Sequence, residues 1–193
     1  NHGGIGSWKQ ATSIITAPIW SPKEGEALIG IKAPSLKGLQ WVQGESLELS
    51  AFSGKAVLLR FWTPPCPLCT QTAPALNTLW QRYKDKGLMV VGIHHPKSSL
   101  SQQVDAVKRS IKSLNFEFPI AIDQDGSVIK QYGVGTVFKQ FTSISVLIDR
   151  IGVIRFVHDG DEFHEGGGQD HQQYQNAYVE MDRQIQVLLG EAL

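Results

Sequence analysis

Cysteine is nearly absent from this sequence: 193 residues hold two. That count excludes a disulfide-stapled scaffold and a four-cysteine zinc fold. Long apolar runs are missing as well. No stretch approaches the roughly 20 residues that span a bilayer, and no secretory h-region opens the chain. Charge of one sign is also lacking. Eighteen Lys and Arg balance 18 Asp and Glu, and no basic cluster stands anywhere. The sequence therefore carries no electrostatic footprint for nucleic acid or for an anionic membrane surface. Internal repeats and low-complexity tracts are absent too. With 41% apolar residues, what remains is one ordinary globular domain, with a tail.

The two cysteines stand together as Cys66-Pro67-Leu68-Cys69, directly after the apolar run Ala56 to Trp62 and before a helix-like segment. Pro67 disfavours helical backbone at the residue before it and suits the first helical position itself. Cys66 is thereby expected at the N-cap. A thiolate there faces unpaired backbone N–H groups and the positive end of the helix dipole, which lower its pKa. Cys69 falls on the same helical face and can close a disulfide with it. A structural bridge is the weaker reading, because closing so short a loop stabilises by only about 2 kcal/mol. Half of a zinc site fares no better, since no second cysteine pair supplies the other ligands. The pattern points to a redox dithiol.

Around that motif the sequence alternates strands and helices. Residues 1 to 27, rich in Gly, Ser and Thr, read as a linker or arm, and 28 to 193 as the domain. Leu39 to Leu49 reads as a short hairpin turning at Gly44. Residues 56 to 62 and 88 to 93 are near-continuous apolar strands of the kind buried on both faces of a sheet. Between them lies a helix with Leu76, Leu79, Trp80 and Tyr83 at helical spacing, ending at Gly87. A second helix carries Val104, Val107, Ile111 and Leu114 on one stripe. Phe118 to Ile122 is a third strand, and Asp123 to Gly126 a turn. Ile144 to Ile148 and Val153 to Val157 form a late antiparallel hairpin. An amphipathic helix spans roughly 171 to 189. The fold class is α/β, a mixed sheet covered by helices on both faces.

With these residues in place, the sequence resembles the thioredoxin superfamily, and within it the extracytoplasmic TlpA/ResA-like and DipZ-like redoxins. The likeness runs over about residues 30 to 160, from Gly30-Ile31-Lys32-Ala33-Pro34 through Leu49 to Lys55 and the redox segment to Leu147-Ile148-Asp149, with Val91 to Pro96 similar to the DipZ-like branch. It implies a thioredoxin-like mixed sheet, a nucleophilic Cys66, a resolving Cys69, protein or peptide disulfides as partners, no organic cofactor, and an extracytoplasmic location. The departures carry information. Pro65 stands where these families usually have Trp, Arg60 where they have an acidic residue or Asn, and Thr72 where they have an acidic residue. Ser143 takes the place of a cis-proline, so a trans peptide is expected there. A guanidinium near the pair would stabilise thiolate, giving a low-pKa Cys66 and a comparatively oxidising couple. The competing reading of Arg60 is an outward-facing charge at a strand end.

Three other functions fit parts of the sequence. Thr63-Pro64-Pro65-Cys66-Pro67 matches the TxxCP core of peroxiredoxins, in which Thr63 would orient a peroxide; Leu59, Thr142 and Ser143 depart from that pattern. Copper-delivering Sco-like proteins share the scaffold and lack the cis-proline, but the position matching their histidine ligand is about Phe141. A binding module with a vestigial dithiol would display Trp62, Phe138 and Phe141 at an exposed edge. His94, His95, His158, His164 and His171 match no metal motif by spacing. They read as solvated loop residues, with Asp159, Asp161, Glu162 and Glu165 as a polar face, and no metal site is expected.

Overall fold

The computed structural model describes residues 25–64, 66–95, 103–134, 143–158 and 160–190. Most of the proposed arm therefore lies outside the described residues, as do Pro65, Phe138, Phe141, Thr142 and Asp159.

Six strands form one sheet: β1 (Gln40–Gln43), β2 (Ala56–Trp62), β3 (Leu88–His94), β4 (Ile120–Ile122), β5 (Ser145–Ile148) and β6 (Ile154–His158). Their spatial order is β1-β4-β3-β2-β5-β6. Strands β2, β3 and β4 run parallel, and β1, β5 and β6 are antiparallel to their neighbours. Helix α1 (Pro67–Tyr83) makes the crossover from β2 to β3, and α2 (Val104–Ser113) follows β3. The five-residue α3 (Ser127–Gln131) follows β4, and α4 (Gln172–Leu189) closes the described chain. The mixed sheet with flanking helices, the late hairpin and the C-terminal amphipathic helix agree with the sequence reading.

Two details correct it. Leu39 to Leu49 is not a hairpin: β1 stops at Gln43, Gly44 turns with φ 78°, and the strand's antiparallel partner is β4. Helix α3 follows directly on the turn at Asp123 to Gly126; buried Asp123 accepts the Ile129 N–H at 2.7 Å and ties the helix down.

The central strand explains where the site sits. Every residue of β2 is buried, so its alternation sorts side chains between two cores. Val57, Leu59 and Phe61 join the core under α3, with Val91, Ile93, Val146 and Tyr132. Ala56, Leu58 and Trp62 join the core under α1 and α4, with Leu76, Leu79, Met181 and Ile185. Arg60 shares the parity of that second set, which sends a charged side chain into the layer beneath the redox helix. Gly92 pairs with Arg60 across the parallel ladder. A Cβ there would lie 2.4 Å from Ile120 Cδ1 and 3.2 Å from Trp62 Nε1, so glycine is what lets the Trp62 ring close over the sheet.

Candidate active site

Cys66 is the N-cap of α1, in extended backbone, and Pro67 is the first helical residue. The Cys66 carbonyl receives the N–H groups of Cys69 and Thr70, both at 3.1 Å. Both cysteines are free thiols, Cys66 half-buried and Cys69 buried. This placement makes them unequal. The Cys66 pKa is held down to about 5 by a hydrogen bond from the Cys69 thiol, with further help from the Cys69 backbone, the Ser143 hydroxyl and the Arg60 charge, against the opposing effect of burial. Cys69 moves the other way. Its hydrogen bond to Cys66 and its burial push its pKa well up, although the Arg60 charge and the Thr63 backbone oppose this. The surroundings thus favour the thiolate form of Cys66 and the protonated form of Cys69.

Arg60 is fully buried, which overturns the outward-facing reading. Its Nη1 donates to the Ser143 carbonyl at 2.8 Å and to Ser145 Oγ at 3.1 Å, and its Nη2 donates to Thr72 Oγ1 at 3.4 Å. The guanidinium carbon lies 5.7 Å from the centre of the Phe163 ring. Thr72 Oγ1 in turn donates to the Leu68 carbonyl at 2.7 Å and accepts the Phe163 N–H at 3.4 Å. A hydroxyl therefore stands where the resemblance expects a carboxylate, and among the described residues no acidic side chain pairs with Arg60. Burial lowers the pKa of Arg60, while the charges of Cys69 and Cys66 raise it. The anion that complements this cation is the thiolate.

Ser143 is buried in the segment leading into β5. Its Oγ meets no partner at ordinary hydrogen-bond distance, yet it lies near enough to Cys66 to favour the charged sulfur. We read it as a donor whose acceptor is the thiolate form. The peptide expected to be trans joins it to Thr142, outside the described residues. Thr63 is buried, with its hydroxyl 3.5 Å from the Pro64 carbonyl. Beside the dithiol an open groove of about 210 Å³ is lined by Trp62, Thr63, Pro64, Thr70 and the α2 residues Ser110 and Ser113.

Trp62 is a buried core residue, for which Gly92 leaves space, so the binding-module alternative lacks that exposed aromatic. The expectation of solvated histidines fails. His94, His95 and His158 are buried rather than solvated, since they occupy the ends of β3 and β6 that the helices cover. The His94 ring stands edge-on to Trp62 at 5.3 Å and the His158 ring edge-on to Phe163 at 5.2 Å. Burial and then the neighbouring His95 push the His94 pKa down to about 4; burial and then Arg60 push that of His158 down to about 3. Burial thus favours the neutral form of both rings. Glu162 is buried too, and its carboxylate gathers with His164 and His171 into one cluster of potential metal ligands, which spacing alone did not reveal. Among the described residues neither cysteine belongs to such a cluster.

Sheet order, helix placement and a CxxC pair at the N-terminus of α1 define a thioredoxin-like fold. Residues 29–157 match the AhpC/TSA family, and the chain belongs to that family. It is 36% identical over 112 residues to the thiol-disulfide oxidoreductase ResA of Bacillus thuringiensis subsp. konkukian, a match covering 58% of this chain and 61% of that protein. It is 30% identical over 133 residues to protein DipZ of Mycobacterium bovis, covering 67% of this chain but 18% of that much longer protein. Among solved structures, a candidate DsbE-type thiol:disulfide interchange protein from Chlorobium tepidum superposes with a TM-score of 0.61 at 25% identity, covering 80% of this chain and 96% of that one. The resemblance to ResA- and DipZ-like redoxins is borne out. The described helices include none long and apolar enough to cross a membrane.

Proposed function

We propose that this chain is a thiol-disulfide oxidoreductase acting on protein or peptide disulfides. The observation that carries the reading is the asymmetry of the pair: a half-buried Cys66 with its pKa drawn to about 5 beside a buried Cys69 held protonated. The Cys66 thiolate attacks one sulfur of a substrate disulfide, forms a mixed disulfide and releases the first substrate thiolate. Cys69 then gives up its proton and attacks Cys66, releasing the second thiolate. The chain ends with a Cys66–Cys69 disulfide, and the substrate has gained two electrons. Run backwards, the same steps oxidise a substrate dithiol. The groove beside Cys66 offers space for an extended segment, and the Arg60 charge adds to the other influences that favour the Cys66 thiolate. By stabilising thiolate it favours the reduced form, which makes the couple comparatively oxidising.

The test is the reduction potential, read from alkylation-trapped equilibria in defined thiol-disulfide buffers. A reversible two-electron couple near about −120 mV supports an oxidant, and one near about −270 mV turns the assignment to a reductant. Absence of a reversible couple defeats the oxidoreductase reading. Rapid turnover of hydrogen peroxide in the same preparation would replace it by the thiol peroxidase suggested by Thr63 and Cys66. The resemblance to extracytoplasmic redoxins further supports a location outside the cytoplasm, with 28 to 193 as the working domain and 1 to 27 as its arm. Labelling of Cys66 in intact cells by a membrane-impermeant maleimide is the expected outcome.

A further inference from the structure

We propose that Glu162, His164 and His171 form a binding site for a single divalent transition-metal cation of the zinc type, separate from the dithiol. The three ligand atoms all lie within 4.8 Å of one another. His164 Nε2 stands 3.2 Å from His171 Nδ1 and 3.9 Å from Glu162 Oε1. Two nitrogens bound tetrahedrally at about 2.0–2.1 Å from zinc are about 3.3 Å apart, so the two rings are already at coordinating separation. The Glu162 oxygen, at 3.9 Å from His164 Nε2, would need to approach by about half an ångström to reach the same spacing. Two imidazoles and a carboxylate are a ligand set that zinc accepts, with a fourth position left open.

The site is held from several sides. Gly167 has φ +113°, and a Cβ there would fall 2.6 Å from His171 Cβ, so the loop can pass this close to the ring only as glycine. The Gly168 carbonyl accepts the His171 N–H at 3.0 Å, and the Gly167 carbonyl accepts from Gln175 Nε2 at 2.8 Å. Tyr174 packs against both imidazoles, at 5.6 and 5.7 Å between ring centres, and its carbonyl accepts the His164 N–H at 3.4 Å. The Glu162 side chain keeps 10% of its exposure and that of His164 13%. Two ligands are thus largely desolvated. The adjacent Glu165 is taken by Arg82 at 3.1 Å, whereas the Glu162 carboxylate faces His164 at 3.9 Å. On its open side the cluster faces a groove of about 430 Å³, walled by Gln71, Pro74, Ala75 and Thr78 of α1, with room for water or an exogenous ligand in the fourth position. A cation here would tie the 162–164 segment to the start of α4, alongside the helix that carries the cysteines.

The competing arrangement is a plain hydrogen bond between two imidazoles beside a carboxylate, which has no metal affinity. Titration of the full chain carrying C66S and C69S with Zn²⁺ in a calorimeter separates the two, because those substitutions remove thiol ligation and make the result independent of the redox reading. The expected result is one ion bound per chain at micromolar or tighter affinity, weakened at least about tenfold by H164A with H171A and likewise by E162Q. Co²⁺ in the same protein should give d–d absorption without thiolate charge transfer. Wild-type chain with its disulfide closed should bind Zn²⁺ equally well, a check that does not depend on any substituted protein folding. Absence of binding below millimolar Zn²⁺, or affinity unchanged in the ligand variants, overturns the proposal.

Discussion

A buried guanidinium is costly unless oxygens or an anion meet it, and Arg60 has the oxygens of Ser143, Ser145 and Thr72 but no carboxylate among the described residues. Its electrostatic complement appears only when Cys66 ionises. Arg60→Met should therefore raise the Cys66 pKa by about one unit, and the reduced form should lose the matching stabilisation of about 1.4 kcal/mol. For a two-electron couple that is a shift of about 30 mV toward a more reducing potential. Thiolate absorbance against pH and the trapped redox equilibrium read the two quantities separately; a pKa that moves without the potential would break the link. The Cys69 thiol should matter more, since its hydrogen bond is the largest influence on Cys66. In Cys66→Ser the remaining Cys69 thiol is still buried, whereas in Cys69→Ala the half-buried Cys66 keeps the Ser143 hydroxyl and the Arg60 charge beside it, so Cys69 should react with iodoacetamide far more slowly at pH 7. Equal rates in the two variants would remove the asymmetry on which the nucleophile assignment rests.

At the scale of elements, what could be read from the chain follows the range of the interaction that fixes it. The run from Ala56 to Trp62, the Cys66 cap with Pro67 behind it and the apolar stripe of α4 are local patterns, and the fold keeps them. Arg60 was partly legible as well, because period-two alternation puts it with Leu58 and Trp62 once β2 is known to be buried on both faces. Strand β1 is hard to place from sequence because its partner β4 is distant in the chain and Gly44 looks like a hairpin turn from either side. Glu162 and His164 stand two residues apart, but His171 lies a further seven on, beyond the glycines at 166–168, and this spacing matches no metal motif. A glycine loop folded back onto the start of α4 is what joins them, and it leaves no periodic trace. Gly92 is a further tertiary requirement hidden inside an ordinary strand. Gly92→Ala forces the buried Ile120 and Trp62 side chains to move in a packed core, and should destabilise by about 1–3 kcal/mol in denaturant unfolding. A loss below about 0.5 kcal/mol would mean that the Ile120 methyl swings away freely and that glycine is not needed there.

Across the whole molecule, the two cores bury neutral histidines at the strand ends nearest the dithiol, and this makes folding depend on pH. His94 and His158 have folded pKa values lowered to about 4 and about 3, against about 6.5 in an unfolded chain. Above pH 6.5 both states hold neutral rings and nothing is lost. As pH falls below that value, the unfolded chain takes up protons that the folded core refuses, so stability declines until the folded pKa values are reached. By pH 5 each ring should have cost about 2 kcal/mol. Cys66 adds a slope of the same sign in the reduced protein, because its own pKa is lowered and its thiolate is lost as pH falls. Unfolding the oxidised protein in denaturant at pH 7.5 and at pH 5 isolates the imidazoles, since neither thiol then titrates. A fall of about 4 kcal/mol is expected, and the reduced protein should fall further over the same interval. Equal stability of the oxidised protein at the two pH values would mean that water reaches these rings and that the layer around Arg60 is not the dry, low-dielectric setting that gives its charge leverage over Cys66.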